Sequence, residues 1–484
     1  MKKLVLVLLL VSLVVLGGVS LWGGLRAKQE YRALILAIAE SPNTRVLETS
    51  YERGWLRSRS RTSFEIRGPL GESFQGWLLG LGREEVRGPV GIRMRQTVEH
   101  GYAPLLEWLT GGLEGTPVLA RVETHLELDK ETQSEIAGVL GRLPPVSVST
   151  MIRASGVGES SVRVPAARLE GTLAGGEAGG WAAQWEGLRG NLVYTTGFDH
   201  FAASFDSAGL EGGSASSAFA LRDLKWTVDL TRDESGLVVG SVHTRVGSFL
   251  VSSQEEGGSR IEVDGLELSQ SSAVEAGSFG SALEARVQSI RLGDRVFGPG
   301  EVEIELRDLD ALSLARLQGL EAEGLAPPAS HDVTGASAPG EAKGPLLGLV
   351  SRSPQLAVRT LHLATPSGDL EASLRVGLDG SRPELLGGLA TLLLALEIRA
   401  DLECPAEILD AVYRGREEEL LKLRQEGWVL LEGERYRSRL ELGRGQLLVN
   451  GLPKSLDDLP MRPKLEAGAG AERIDRVSSL AADS

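Results

Sequence analysis

The feature that most constrains the fold is a two-residue alternation of side chains that recurs along the chain. In residues 56–67, every odd-numbered position carries a polar side chain, and four of these are arginines, while the even positions hold serine, threonine or apolar residues. The alternation recurs in residues 90–99 and 122–129. Successive side chains of a β-strand point to opposite faces, so the pattern predicts strands with one buried and one solvated face.

Further strand-like runs follow, and glycine- or serine-rich turns separate most of them. A chain with 61 glycines and only 5% aromatic residues suits a turn-rich β fold better than a helical bundle. We therefore predict a mainly β fold with some α, built around a large twisted antiparallel sheet. The later strands of this series are predicted at residues 146–152, 192–196, 224–230, 237–244, 261–268, 283–292 and 302–309.

Helical patterns are few and short. Residues 31–39 form one predicted helix, which Ser41 and Pro42 end, and residues 312–320 form a second. The clearest helix is predicted over residues 405–425, where apolar residues line one side. Strand patterns lie on both sides of it, so we predict a C-terminal β-helix-β layer.

Composition shifts divide the chain into five parts. The segment 321–345 contains two adjacent prolines and a Gly-Ala-Ser run, which are typical of linkers, and the last residues are rich in alanine, glycine and serine. We predict a transmembrane anchor or uncleaved signal at 1–25, a β-rich exported region at 26–320, a linker or disordered loop at 321–345, C-terminal strands and the long helix at 346–460, and a disordered tail at 461–484.

The amino terminus carries the longest uncharged segment. Lys2 and Lys3 precede residues 4–25, which contain no charge. Twenty-two residues at about 1.5 Å each are long enough to cross a hydrocarbon layer of about 30 Å. We predict a retained anchor with its N-terminus in the cytoplasm and everything after residue 26 exported. The alternatives are a signal peptide cleaved near Gly18-Val19-Ser20 and a buried core helix.

Charge and cysteine content exclude several classes of function. The net charge of −15 argues against nucleic-acid binding, because phosphate recognition needs a basic surface. The single cysteine, Cys404, excludes an internal disulfide, a cysteine-based zinc or redox motif and a lipoprotein cysteine near the N-terminus. Phosphate-binding loops, nucleophile elbows and His-Glu-x-x-His metal motifs are also missing from the sequence. We therefore predict no enzymatic activity, no cofactor and no metal site.

His100 is the single most tempting chemical candidate, since it follows Glu99 and precedes Gly101. A histidine beside a carboxylate can act as a general base or a ligand. Neighbours on one strand, however, point to opposite faces. We favour a structural, hydrogen-bonding histidine at a strand end.

A row of arginines forms the other candidate site. Arg57, Arg59, Arg61, Arg93 and Arg95 are predicted on the polar faces of two strands, where they could bind anionic lipid headgroups or glycans. The next strand presents Glu123, Glu127 and Asp129 on its polar face, and opposite charges on adjacent strands pair favourably. We favour a self-neutralised sheet face, which requires these strands to be neighbours.

Three short motifs are similar to those of a known family. Tyr51, Arg53, Gly54 and Ser58 form the first, and Glu99, His100, Gly101 and Pro104 form the second. Gly445, Asn450 and Gly451 belong to a C-terminal third. In these motifs the chain resembles the YdgA-like family of bacterial envelope proteins, whose function is undefined. The resemblance implies one N-terminal transmembrane helix, a large periplasmic domain and no catalytic residues, and thus a single-pass protein of the bacterial inner membrane.

Two functional hypotheses follow from an anchor joined to a many-stranded sheet. A sheet that curls with its apolar side inward would form a trough able to cover or bind a lipid or another hydrophobic envelope component. Finding that side sealed by helices or by a second sheet would count against it. The alternative is a structural scaffold that self-associates or binds a protein partner. A hydrolase would need His100 to meet a serine or aspartate in a pocket.

Overall fold

The computed structural model describes residues 43–67, 89–102, 116–134, 143–172, 180–253 except 196, 198 and 215, 260–324, 348–380 and 394–455, with ten isolated residues, eight of them between 25 and 39. Most of the predicted anchor, residues 325–345 of the predicted linker and the predicted tail lie outside these residues. Within the described part, no helix is both long and apolar enough to cross a membrane.

The described chain is dominated by strands. The helices described over their whole length are α1 (Ala311–Gly324), α2 (Ala406–Val412) and α3 (Glu417–Gln425). Of the predicted first helix, Tyr31, Arg32, Ile35, Leu36 and Ala39 are also helical. The strands are β1 (Thr44–Glu52), β2 (Arg57–Ile66), β3 (Val90–His100), β4 (Val118–Leu128), β5 (Val146–Arg153), β6 (Val157–Val164), β7 (Ala167–Thr172), β8 (Gly180–Trp185), β9 (Leu188–Thr195), β10 (His200–Gly213), β11 (Ser217–Arg232), β12 (Val238–Ser253), β13 (Arg260–Glu275), β14 (Ser278–Val287), β15 (Ser289–Leu292), β16 (Arg295–Phe297), β17 (Gly300–Asp310), β18 (Gln355–Thr365), β19 (Gly368–Leu378), β20 (Leu396–Pro405), β21 (Leu430–Glu432), β22 (Arg435–Gly443), β23 (Gln446–Val449) and β24 (Leu452–Lys454).

All of these strands belong to one sheet, and every described pairing is antiparallel. Most strands pair with their neighbours in the chain, because short turns connect them. The hairpins β7–β8 and β15–β16 lengthen the sheet locally, since β8 and β9 both pair with β10 and β14 and β15 both pair with β13. The prediction of a mainly β chain with one large antiparallel sheet is confirmed.

The pairing register aligns one apolar face across the whole sheet. Directly paired residues of antiparallel strands point to the same side. Starting from Ser58 of β2, successive partners trace one continuous row to β23: Val98, Val122, Thr150, Ser160, Leu192, Ala203, Val228, Val242, Gln270, Leu283, Ile304, Val358, Leu374, Ala400, Leu440 and Val449. We call this side the apolar face and the opposite side the charged face.

A line of backbone irregularities crosses the three longest strands. Asp223 of β11 and Gly265 of β13 have φ values of 53° and 62°, and Gly247 of β12 lies opposite Gly265 in the gap of the register. At this line the apolar side chains switch between even and odd numbers in each strand. In β11, for example, Leu224, Trp226 and Val228 give way to Phe219 and Leu221. The switch keeps the apolar residues of 16-residue strands on one face.

The C-terminal end of the apolar face is covered by helices. Leu420 of α3 packs with Trp428, Tyr436 and Leu442 in a buried cluster on β20, β22 and β23. This confirms the predicted β-helix-β order. The single helix predicted over 405–425 is wrong, because α2 ends at Val412 and α3 begins at Glu417. Gly415, with φ 79°, breaks the helical backbone between them.

Cys404 provides a test of this core. Its side chain is only 2% exposed, and burial raises the pKa of its thiol. Because the thiolate is the reactive species, we expect native protein to resist modification by a maleimide or a disulfide reagent near neutral pH. Modification should become rapid once denaturant unfolds β20 and β22. Stoichiometric labelling of the native protein would contradict this packing.

Helix α1 begins at Ala311 and is longer than predicted, ending at Gly324 rather than residue 320. The predicted boundary between residues 320 and 321 therefore falls inside a helix. The Asp310 carboxylate accepts a 2.9 Å hydrogen bond from the Ser313 backbone N–H, as an N-cap residue does. Burial alone would raise the pKa of Asp310, but bonds from Ser313 and Arg352 outweigh it and hold the pKa below its ordinary value.

The Asp310 cap predicts a pH-dependent contribution to stability. We expect Asp310→Ala to lower the free energy of unfolding by about 1 kcal/mol at neutral pH. Because the folded-state pKa is lowered, this contribution is fully present above the unfolded-state pKa of about 3.9 and is lost as pH falls below it. Unfolding curves of both proteins at neutral pH and near pH 3 measure it. A difference that is unchanged in acid would contradict the role of the carboxylate.

Candidate functional site

The middle of the apolar face is exposed to solvent. Eight large apolar side chains on β11–β18 are each between 37% and 45% exposed. They lie on both sides of the irregular line, and cross-strand partners or the alternation switch assign them to one face. We call them the open strip: Trp226, Phe249, Val251, Ile261, Leu268, Leu283, Leu292 and Leu356.

Burial along the strands shows that no layer of described residues covers the strip. In the described strands β12–β19, Gly300 is the one residue that is buried. A strand with a second layer over it would have fully buried positions on every other residue. This part of the sheet is therefore a single layer, apolar on one side and polar on the other.

Aromatic rings form one border of the open strip. Phe205 of β10 stacks on Trp226 with ring centroids 5.4 Å apart. Phe205 also lies across Gly190 of β9, where an added Cβ would approach its ring to 2.2 Å. Tyr194 covers Gly158 in the same way. The glycines leave room for rings that lie flat on the sheet, so this border is smooth and apolar.

The N-terminal end of the apolar face is covered by Tyr31, one of the helical residues between 31 and 39, and the strand residues below Tyr31 are polar. Tyr31 is 8% exposed, and its hydroxyl lies 2.6 Å from the hydroxyls of both Thr49 and Thr62. The Gln96 amide receives a 3.1 Å bond from Ser60 and donates one of 3.1 Å to Thr124. The apolar face is thus covered at both ends and open in the middle.

The charged face neutralises itself by cross-strand ion pairs. Neighbouring strands pair Arg245 with Glu267 and Arg286 with Glu301 beneath the open strip, and Arg291 with Glu262 beyond the irregular line. The charges switch parity at that line together with the apolar residues, so charged and apolar side chains stay on opposite sides of each strand. One side of the single layer is therefore charged and the other is apolar.

The predicted arginine row lies on this charged face. β2 pairs with β3 and β3 with β4, which is the adjacency that self-neutralisation requires. Arg57 contacts Glu99, and Arg95 contacts Glu127. The other three lie opposite mixed partners: Arg59 faces Glu52 and Thr97, Arg61 faces Ser50 and Arg95, and Arg93 faces Ser63 and Glu127.

The first two motifs meet inside the sheet. His100 Nε2 lies 2.9 Å from Ser58 Oγ, and both side chains have 0% exposure. Glu99 lies on the other side of the sheet with Arg57. The serine that a hydrolase would require is therefore present beside His100, but neither side chain is accessible to a substrate in this structure.

The remaining motif residues hold turns. A Cβ on Gly54 would approach the Arg57 carbonyl oxygen to 2.1 Å, so the β1–β2 turn requires glycine there. Tyr51 packs its ring 5.1 Å from that of Tyr31. Asn450 accepts a 2.8 Å bond from the Arg439 backbone N–H and donates one of 2.8 Å to the Gly427 carbonyl. In the same part of the chain, Gly445 and Gly451 have φ values of 74° and 78°. Of the first two motifs, Arg53 is exposed and Pro104 is buried.

One group on the charged face has the composition of a metal site. Donor atoms of His362, Asp369 and Glu371 lie within 4.8 Å of one another, which sequence spacing did not reveal. Both carboxylates are exposed, and His362 Nε2 lies 3.8 Å from Asp369 Oδ1. Exposed acidic groups often lie together in this way without a metal ion. An open cleft of about 750 Å³ on this face also includes Glu403 and Arg437, which form an ion pair of 3.0 Å. Its charged walls distinguish it from the open strip.

Comparison with known proteins identifies a family and no activity. A family model described as a bacterial protein of unknown function (DUF945) matches residues 1–457. No curated protein matches the chain. No solved structure matches it either.

Proposed function

Since the chain belongs to the DUF945 family of bacterial proteins of unknown function, we propose a function from its own residues. It is a membrane-anchored, non-enzymatic envelope protein whose open strip covers lipid acyl chains. The single observation that carries the proposal is the exposed apolar face of β11–β18. The three sequence motifs around Tyr51, His100 and Asn450 support the narrower assignment to the YdgA-like type.

The size and chemistry of the open strip favour acyl chains. Monomeric soluble proteins rarely expose contiguous apolar patches larger than a few hundred Å². From β11 to β18 the strip crosses five strand spacings of about 4.8 Å, or about 24 Å. One leaflet of a bilayer holds acyl chains in about half of its 30 Å core. An aliphatic and aromatic surface of this reach fits one or more such chains lying on it.

The covered ends of the apolar face support the same occupant. At the C-terminal end, α3 and Trp428 exclude solvent from the sheet, and at the other end Tyr31 lies over hydroxyl groups. A bound chain would therefore extend over the open middle. The predicted anchor at residues 1–25 would hold the strip close to a source of lipid, in the periplasm against the bacterial inner membrane.

Photo-crosslinking in the bacterial cell tests the proposal. Benzoylphenylalanine placed at Leu283, in the open strip, should yield a lipid adduct after irradiation, detectable as a mass increase of the purified protein. The matched position is Val296, which is 46% exposed and lies opposite Arg291 on the charged face. No lipid adduct at Leu283, or equal adducts at both positions, would contradict a lipid-covering strip.

A scaffold function is the second candidate, favoured by two strands at the edges of the described sheet. Among the described strands, β1 pairs with β2 alone and β7 with β8 alone. A partner strand could add to the second edge of either one. A crosslink from Leu283 to a protein, in place of lipid, would favour this role.

A further inference from the structure

The β1–β2 turn carries the most exposed large apolar side chain of the described residues. Trp55 is 72% exposed at the tip of this hairpin. Gly54 makes the turn tight, and the strands on either side are paired from Glu52 and Arg59 onward. A tight, paired hairpin therefore presents to solvent an indole that the rest of the fold leaves mostly uncovered.

The hairpin is locally basic in an acidic chain. Residues 44–66 contain five arginines and three glutamates, a net charge of +2, whereas the whole chain carries −15. Arg53, Arg57 and Arg59 near the tip are exposed, and the acidic groups facing them are Glu52 and Glu99. Tryptophan beside arginine is the composition that proteins place at the boundary between lipid headgroups and acyl chains.

The tip lies at the same end of the structure as Leu25, the last residue of the predicted anchor. The Tyr31 hydroxyl contacts Thr49 of β1, whereas the helical residue Ala39 lies only five residues before Thr44, at the other end of this strand. The described helical residues 31–39 and β1 therefore run in opposite directions. Leu25 lies six residues before Tyr31, or about 9 Å along a helix. The tip lies four residues beyond Tyr51, at most about 13 Å along a strand. Leu25 and Trp55 are therefore at the same end.

From this placement we propose that the Trp55 hairpin inserts into the surface of the membrane that holds the anchor, as a second contact that fixes the orientation of the sheet. The occupant is a lipid bilayer with anionic headgroups, since the indole needs an apolar boundary and the arginines need negative charge. The proposal rests on the proposed anchor and is independent of whether the open strip binds lipid.

Fluorescence quenching in vesicles tests the insertion. The buried Cys404 leaves a cysteine at the exposed position 53, two residues from Trp55, as the accessible thiol among the described residues, so Arg53→Cys can carry an environment-sensitive dye while the indole is kept, with unmodified protein as the labelling blank. The full-length chain is reconstituted into phosphatidylcholine vesicles with and without phosphatidylglycerol, and part of the lipid carries a quencher on its acyl chain. The control is Leu452→Cys, which is 62% exposed on β24.

We expect a blue-shifted emission and the loss of most of the fluorescence at position 53, and neither change at position 452. Quenching that needs phosphatidylglycerol would support a contribution of the arginines, and quenching in both vesicles would support insertion by the tip alone. A label at position 53 that is quenched no more than one at position 452 would overturn the proposal. Vesicle flotation of the same protein tests the anchor separately.

Discussion

Leu283→Asp is expected to reduce the lipid that copurifies with the protein by at least about tenfold while the protein stays folded. The side chain is 41% exposed in the centre of the open strip, so the carboxylate remains hydrated in the lipid-free protein. Covering it with an acyl chain would remove that hydration, which costs several kcal/mol for an unpaired charge. Each 1.4 kcal/mol changes an affinity about tenfold. Mass spectrometry of extracted lipid, normalised to protein, measures the effect.

The control for this variant is Val296→Asp on the charged face. Val296 is 46% exposed and is paired directly with Arg291, so the new carboxylate gains an opposite charge. We expect its lipid content and its thermal unfolding to equal those of the unmodified protein. Equal lipid loss in both variants would show that added negative charge, and not the open strip, controls lipid content.

His100→Ala is expected to destabilise the sheet at β2–β4 by about 3 kcal/mol. The substitution removes a fully buried ring, leaves a cavity and deprives the Ser58 hydroxyl of its 2.9 Å bond. A loss of this size should accelerate amide hydrogen exchange in β2, β3 and β4 by roughly a hundredfold, since each 1.4 kcal/mol is a factor of about ten. Hydrogen exchange measured by mass spectrometry gives this local value.

A second histidine supplies the matched control for His100. His125 of β4 also bonds a serine across the sheet, with its Nδ1 3.1 Å from Ser147 Oγ, but it is exposed on the charged face. We expect His125→Ala to change the free energy of opening, as measured by hydrogen exchange in these strands, by less than about 0.5 kcal/mol. Ser58→Ala combined with His100→Ala should cost less than the sum of the single variants, because the two share one hydrogen bond. Unchanged exchange in His100→Ala would contradict a structural role.

The alternation predicted the strands because a period of two is a local property, and it failed where the backbone breaks that period. The predicted strand at 224–230 begins directly after Asp223, and the one at 237–244 ends before Gly247, whereas β11 and β12 continue across this line. Asp223 adopts a positive φ that favours glycine, so its residue type gave no signal of the switch. Gly415 likewise split a helix whose apolar pattern continues past it.

The candidate site was less predictable than the strands. Whether a second layer covers an apolar face depends on distant parts of the chain, so alternation predicts the face but not its exposure. The pairing of Ser58 with His100 depends on the register of β2 and β3, which residue spacing did not fix. The apolar residues change from odd to even positions within residues 219–228, and this change was the available signal that Phe219 and Trp226 share a face.

The most direct test of the central claim is organic extraction and mass spectrometry of the full-length protein, purified from bacterial membranes in a detergent that is then exchanged for an amphipathic polymer. Unmodified protein should retain about one or more lipid molecules per chain, and Leu283→Asp should retain far less, with Val296→Asp unchanged. Lipid-free, stable protein, or lipid content that is equal in all three, would contradict the account that the open strip on β11–β18 covers acyl chains.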